Sequence, residues 1–252
     1  LNSAAELGPR RAFGRRVLAN LSRLVLDRFN AGLPADIDSE QLFRDQLSVA
    51  FSDDLVAGEE LGMDPGADQQ GWLIDPLDGS TNHGHGIPLF AVSIAYIHGG
   101  SVVLGWVSDP VRGEWFEAWR GKGILRGGPS PSLSTSMESP VLSLSDRWRR
   151  RYPDWRSHFP ESTRARSLGS IALEMAWIAS GRLQGGAWYR THPWDVGAGE
   201  LLISESGGDL SVVPDGGPGE RFALSSASSS LMPCFEATLA GHGMDAQQID
   251  PD

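Results

Sequence analysis

Three carboxylate-bearing segments carry the chemistry of this chain. Trp72-Leu73-Ile74-Asp75-Pro76-Leu77-Asp78-Gly79-Ser80-Thr81-Asn82 ends an apolar stretch on two aspartates three residues apart. Its core, DPxDG[ST], would arise by chance in roughly one window in a million at average residue frequencies. Alone, Asp-Pro and Asp-Gly are ordinary surface-turn dipeptides. The other two segments argue against that. Gly58-Glu59-Glu60 follows the strand-like Leu55-Val56-Ala57, and Trp194-Asp195 opens an apolar stretch running into Glu205-Ser206-Gly207-Gly208.

Such a set suits phosphate chemistry assisted by a hard cation. Magnesium takes oxygen ligands in near-octahedral geometry and keeps several waters. A proline-fixed turn would let the Asp75 and Asp78 carboxylates and the Leu77 carbonyl face one point. Gly79 permits close backbone approach, and Ser80-Thr81 would start a short helix whose free amides suit phosphate oxygens. Carboxylates clustered without cations repel one another, so bound metal is nearly required. No CxxC, HExxH or GxxxxGK[ST] string occurs, so zinc-ribbon, zincin and P-loop chemistry lack support.

The elements that must position these groups follow from periodicity. Residues 10–30 place Phe13, Val17, Leu18, Leu21, Leu24, Val25 and Phe29 at helical spacing, with arginines mostly between them. Gly32 and Pro34 break that helix. Asp38 with Gln41 reads as a capping box opening a second one, whose apolar side is Leu42, Phe43, Leu47 and Val49. Residues 71–75 form a strand, and 90–97, 101–108, 114–119 and 123–126 an antiparallel meander divided by turn signals. Strands at 141–144, 185–188, 209–213 and 222–224 then alternate with helices at 146–152, 169–180 and 194–206. The Gly-, Pro- and Ser-rich stretch 127–139 sets the expected boundary between an N-terminal α+β lobe, 1–130, and a C-terminal α/β lobe, 131–252. The class is α+β and layered.

Composition bounds the partners. With 252 residues, 40% hydrophobic and 21% charged, the chain is an ordinary globular one. Lys+Arg 21 against Asp+Glu 32 leaves −11, which argues against a nucleic-acid polymer as partner. A small anionic substrate remains compatible, because bound metal reverses the local sign. The longest apolar run, 89–97, is too short for a bilayer, so no membrane partner is expected. Cys234 alone cannot form an internal disulfide, which points to a reducing, cytoplasmic compartment, and no secretory signal is read at the start.

Taken with Ala35-Asp36-Ile37-Asp38 and Arg166-Ser167-Leu168-Gly169-Ser170, the three carboxylate segments resemble the inositol monophosphatase family in order and spacing. These are magnesium-dependent, lithium-sensitive phosphatases, with fructose-bisphosphatase-like and nucleotide 3′-phosphatase branches. The resemblance implies an α-β-α-β-α sandwich of the sugar-phosphatase type in two lobes, commonly a homodimer. It implies a first magnesium on Glu59, Asp75 and the Leu77 carbonyl, a second on Asp75, Asp78 and Asp195, and a third, weaker ion near Glu59. Ser80 would take the proton of the attacking water, backed by Asp38, and Glu59 would serve in the same step. The Gly79 and Ser80 amides would bind phosphate, with Ser170 and Trp188 on the substrate side. A small sugar, polyol or nucleoside-type phosphate is the implied substrate. Rivals are an adenosine 3′-phosphate, or a non-catalytic relative that binds a phosphorylated ligand.

Several positions depart from the family pattern. Ala35 stands where Thr is usual, Ser80 replaces the commoner Thr, and the short loop 30–34 lacks a lysine. His83 replaces a Phe and creates His83-x-His85, a possible transition-metal pair set against plain packing. Trp188 occupies the position of a Glu that grips substrate hydroxyls, so it is expected either to stack on substrate or to pack between lobes. Arg147-Trp148-Arg149-Arg150-Arg151 is expected as a solvated helix face, the alternative being a reach toward anionic substrate from a partner subunit.

Overall fold

Strand and helix signals resolve into five layers in the computed structural model, which describes residues 4–129, 139–214, 221–226, 231–244 and 247–248. In chain order the first half gives α1 (Ala4–Ala31), α2 (Asp36–Ala50), β1 (Val56–Gly58), β2 (Gly62–Met63), β3 (Gln70–Asp78), α3 (Ser80–Gly84), β4 (Ala91–His98), β5 (Ser101–Asp109), β6 (Glu114–Trp119) and β7 (Ile124–Gly127). The second gives β8 (Val141–Leu144), α4 (Asp146–Arg151), β9 (Arg164–Arg166), α5 (Ile171–Ala179), β10 (Gly185–Thr191), α6 (Pro193–Glu205), β11 (Asp209–Pro214), β12 (Arg221–Ser226), α7 (Met232–Ala240) and β13 (Gln247–Gln248).

The first sheet has the order β2-β1-β3-β4-β5-β6-β7, with β1 parallel to β3 and an antiparallel meander beyond it. The second has the order β13-β11-β12-β10-β8-β9. Helices α1 and α2 cover the outer face of the first sheet, through Phe13, Val17 and Phe43 on Trp72, Tyr96 and Trp106. Phe13 meets Trp72 edge-on at 5.2 Å. Burying side chains of this size contributes about 1.5–3 kcal/mol each. The other face takes α5 and α6, with Ala172, Leu201 and Leu202 on Leu73, Val107 and Phe116. Those two helices also pack on the second sheet through Met175, Ile178, Trp188, Val196 and Ile203. Trp148, Phe235 and Leu239 of α4 and α7 close its far side.

The middle layer therefore belongs to both sheets. It approaches closely: a Cβ added at Gly105 of β5 would lie 3.1 Å from the Ala198 Cα. Covered on both sides, β4 is buried at every residue except His98, so its sequence reads as a continuous apolar run. The arginines of α1 are not simply solvated. Arg11 and Arg15 converge on buried Glu117 of β6, which also accepts from the Trp106 indole at 3.1 Å. Arg10 holds Asp54 at 2.9 and 2.6 Å.

Two expectations need amendment. Helix α2 begins at Asp36, with Ala35 in the capping position and no side-chain cap, so Asp38 lies in the first turn and makes no capping box. Carboxylates there are favoured by the helix dipole instead. The boundary expected at 130/131 falls outside the described residues.

Candidate active site

Strand β3 does not end as a regular strand. Asp75 lies opposite Ser93 and Asp78 opposite Ala91, so three steps on β3 match two on β4. The extra residue is a β-bulge, and Pro76, which has no amide hydrogen to contribute to the ladder, sits within it. In a regular strand, residues three apart face opposite sides. The bulge resets that parity, so both aspartates can serve one side. A bulged strand end thus does what the expected proline turn would have done.

Each carboxylate is held by backbone or hydroxyl donors. Asp75 Oδ1 accepts from the Leu77 amide at 3.0 Å. Asp78 Oδ2 accepts from Ser170 Oγ at 2.7 Å and from the Ala172 amide at 2.6 Å. Asp195 lies in the first turn of α6, where its Oδ2 accepts from the His192 amide at 2.7 Å behind Pro193. Glu59 follows β1 on a turn fixed from below. There buried Glu40 of α2 accepts from the Glu60 amide at 2.8 Å and pairs with Arg44.

Burial and like charge push these acids up. Glu59 rises to about 7, first through burial, then through Asp195 and Glu60. Asp78 also rises to about 7, with burial and Asp195 outweighing the hydrogen bonds from Ser170 and Ala172. Asp75 stands well above the usual carboxylate range through burial, Asp78, Glu59 and Asp195. Glu59, Asp75, Asp78 and Asp195 therefore act electrostatically as one group. Among the described residues, no three carboxylate, histidine or cysteine side chains are already gathered around a point that would hold an ion. The hard-oxygen donor set and its uncompensated charge nevertheless fit a divalent cation.

The turn beyond Asp78 requires glycine. Gly79 has φ of 95°, and a Cβ there would lie 3.0 Å from the Leu89 carbonyl oxygen and 3.1 Å from that of Gly169. Asn82 Nδ2 donates to the Leu89 and Leu168 carbonyls, both at 2.7 Å. The loop before α5 is thereby locked onto the DPLDGS segment, while Ser80 stays exposed at the start of α3.

The arrangement has close counterparts. The model of the inositol monophosphatase family matches residues 33–232. The chain belongs to this family. It is 33% identical to a Thermotoga maritima fructose-1,6-bisphosphatase/inositol-1-monophosphatase over 69% of this chain and 68% of that one. It is 36% identical to a Mesorhizobium japonicum inositol-1-monophosphatase over 73% and 72%. A Nus factor SuhB of Pseudomonas aeruginosa is 35% identical over 70% of each chain. Among solved structures, an inositol monophosphatase from Anabaena superposes with a TM-score of 0.76 at 27% identity, covering 93% of this chain and 96% of that one. The α-β-α-β-α fold is that of the family, and the chain is a phosphoric monoester hydrolase of the inositol monophosphatase type.

Not every residue expected at the family's site is there. Asp38 is exposed and pairs with Arg28 on the outside of α2. Asp36 is the aspartate of this segment that faces the acids: its charge acts on Glu59 and Glu60, and its Oδ1 is buried without a hydrogen-bond partner. The missed signal was helical spacing. Asp36 and Glu40 are four apart and share a face, whereas Asp38 is rotated away. Ser170, expected on the substrate side, is fully buried and spends its hydroxyl on Asp78. Trp188, expected either to stack on substrate or to pack between lobes, is packed: it is 1% exposed among Met175, Ile178 and Val196. Strand parity explains this, because Ala187 and Tyr189 face α4 and α7 while Trp188 faces α5 and α6.

The histidines form no metal pair. The His83 ring is buried 5.4 Å from Phe29 and 5.1 Å from Phe90, while exposed His85 sets Nδ1 2.9 Å from the Thr81 carbonyl. Arg147, Arg150 and Arg151 are the exposed face of α4, with Trp148 and Tyr152 turned inward. Among the described residues, no helix is long and apolar enough to cross a membrane.

Proposed function

We propose that this chain is a magnesium-dependent phosphomonoesterase that releases phosphate from a small sugar, polyol or nucleoside-type phosphate by attack of water. The observation that carries the reading is the set of three buried or half-buried acids, Glu59, Asp75 and Asp78, raised by burial and by the charge of Asp195, beside the left-handed turn at Gly79. Glu59, Asp75 and the Leu77 carbonyl would hold one ion, and Asp75, Asp78 and Asp195 a second. A third would sit near Glu59. Magnesium supplies Lewis acidity and positive charge opposite phosphate oxygens when bound. The Gly79 and Ser80 amides orient the phosphate, and the Ser80 hydroxyl orients the water, with Asp36 as the carboxylate that receives its proton.

Position 188 supplies no grip on substrate hydroxyls. A buried indole offers neither an acceptor for hydroxyls nor a stacking face. Hydroxyls left unpaired on burial cost about 1–3 kcal/mol each. Turnover of myo-inositol 1-phosphate is therefore expected to be weaker than that of a less hydroxylated sugar or nucleoside phosphate. A cytoplasmic homodimer belongs to the same reading, supported by the unpaired Cys234 and by family membership. The name Nus factor SuhB on similar chains raises an accessory role as the rival, but four mutually repelling carboxylates serve no purpose in a chain that only docks.

Phosphate release should be measured across sugar, inositol and nucleotide monophosphates, with magnesium and with EDTA. Activity that needs magnesium is the expected result, and full activity in metal-free buffer contradicts the proposal. A preference for a nucleoside 3′-phosphate would move the chain to the nucleotide branch.

A further inference from the structure

Two buried side chains beside the site have no part in the proposed chemistry: Glu174 of α5 and Trp188 of β10. Glu174 is 3% exposed, and no ion pair reaches it among the described residues. Sealing a carboxylate away from water without a counter-charge is costly unless hydrogen bonds satisfy it. Here N–H donors do so. Glu174 Oε1 accepts from the Leu168 amide at 2.7 Å and the Gly169 amide at 3.1 Å, and Oε2 accepts from the Trp188 indole Nε1.

What those two amides belong to is the point. Leu168 and Gly169 lead directly into Ser170, whose hydroxyl, with the Ala172 amide, holds Asp78 Oδ2. The Leu168 carbonyl takes Asn82 Nδ2, and the Gly169 carbonyl lies against Gly79. One buried carboxylate thus fixes the segment that orients Asp78 and braces the turn after it. The indole at 188 in turn fixes that carboxylate.

We propose that Glu174 is a positioning residue for Asp78 and that Trp188 is the donor that keeps Glu174 in place. This deepens the reading of the site as a divalent-cation phosphatase and rests on it. The side chain at 188 then affects cation affinity and turnover through Glu174, and does not select the substrate.

The test uses the whole chain, with manganese as the probe in calorimetry and magnesium in kinetics on the best ester from the panel. Glu174→Gln keeps the shape but puts an NH2 donor in place of one acceptor oxygen, and the Leu168 amide, the Gly169 amide and the Trp188 indole cannot accept from it. Manganese affinity should fall about 10- to 100-fold, as for other residues that orient metal ligands. kcat should fall with it while KM stays as in wild type. Adding Trp188→Phe to Glu174→Gln removes the opposing indole N–H and should recover part of the lost affinity, which a simple packing defect would not do. Should Glu174→Gln fail to fold, Trp188→Phe alone decides, with weaker manganese binding and an unchanged KM expected. A folded variant with wild-type manganese affinity and kcat, or one whose loss lies only in KM, overturns the proposal. The wild-type protein separates the two failures. If it binds no manganese and hydrolyses esters without metal, the cation reading falls and takes this role with it. If it binds manganese and the variants bind equally well, only the role of Glu174 falls.

Discussion

At the scale of single residues, the site rests on carboxylates that are individually destabilised and collectively useful. On the proposed reading, Asp78→Asn and Asp195→Asn would each remove one charge and one metal ligand where the leaving oxygen develops charge. Each is expected to lower kcat about a hundredfold or more in a folded protein. Steady-state kinetics with circular dichroism checks this, and near-normal turnover would remove both from the metal set. Asp36 and Asp38 offer a sharper contrast, because the sequence reading put the role on Asp38, whereas the structure exposes Asp38 and buries an oxygen of Asp36. Asp36→Asn should impair turnover by about 10² or more, in the range of general acid–base groups. Asp38→Asn breaks only an exposed pair with Arg28, worth about 0–1 kcal/mol, and should leave kcat unchanged. Equal effects of the two substitutions would refute the assignment.

At the scale of elements, the decisive features are the bulge that ends β3 and the turn that follows it. The bulge gives Asp75 and Asp78 a common side, and Gly79 then passes between two carbonyls in a conformation that side chains resist. Gly79→Ala is expected to destabilise by about 1–3 kcal/mol from backbone strain alone. Contact with the Leu89 and Gly169 oxygens should also displace the loop, so kcat should fall further than stability predicts. Denaturant midpoints measured beside kcat test this, and a variant as stable and active as wild type would mean that the turn has other room.

At the scale of the whole molecule, the acids that prepare the site weaken the fold that carries it. Glu59 and Asp78 titrate near 7 when folded and near 4 when unfolded, so between these values the folded chain keeps protons that the unfolded chain has released. Their contribution to stability is full below about pH 4 and is lost as pH rises through about 7. A bound divalent cation favours the ionised forms and opposes that loss. The melting temperature of the metal-free protein should therefore fall between about pH 5 and about pH 8, with magnesium raising it more at the higher pH. Scanning calorimetry with and without magnesium reads both trends. A flat metal-free profile with a pH-independent magnesium effect would show that the acids are not coupled to folding as described.

Glu59, Asp75, Asp78, Gly79 and Asp195 were legible in the chain because short local strings carry them, and local strings survive without knowledge of packing. So were the meander, the helix before it and the layered class, since alternation and helical spacing record which face is covered. Tertiary structure decided what depends on direction. It turned Asp36 inward and Asp38 outward, moved Ser170 from substrate to Asp78, and put Trp188 in the interior with Glu174. A sequence fixes residue type and spacing. The side to which a residue points depends on where a helix starts and on which layer faces each side of a strand, and both are settled only when distant segments pack.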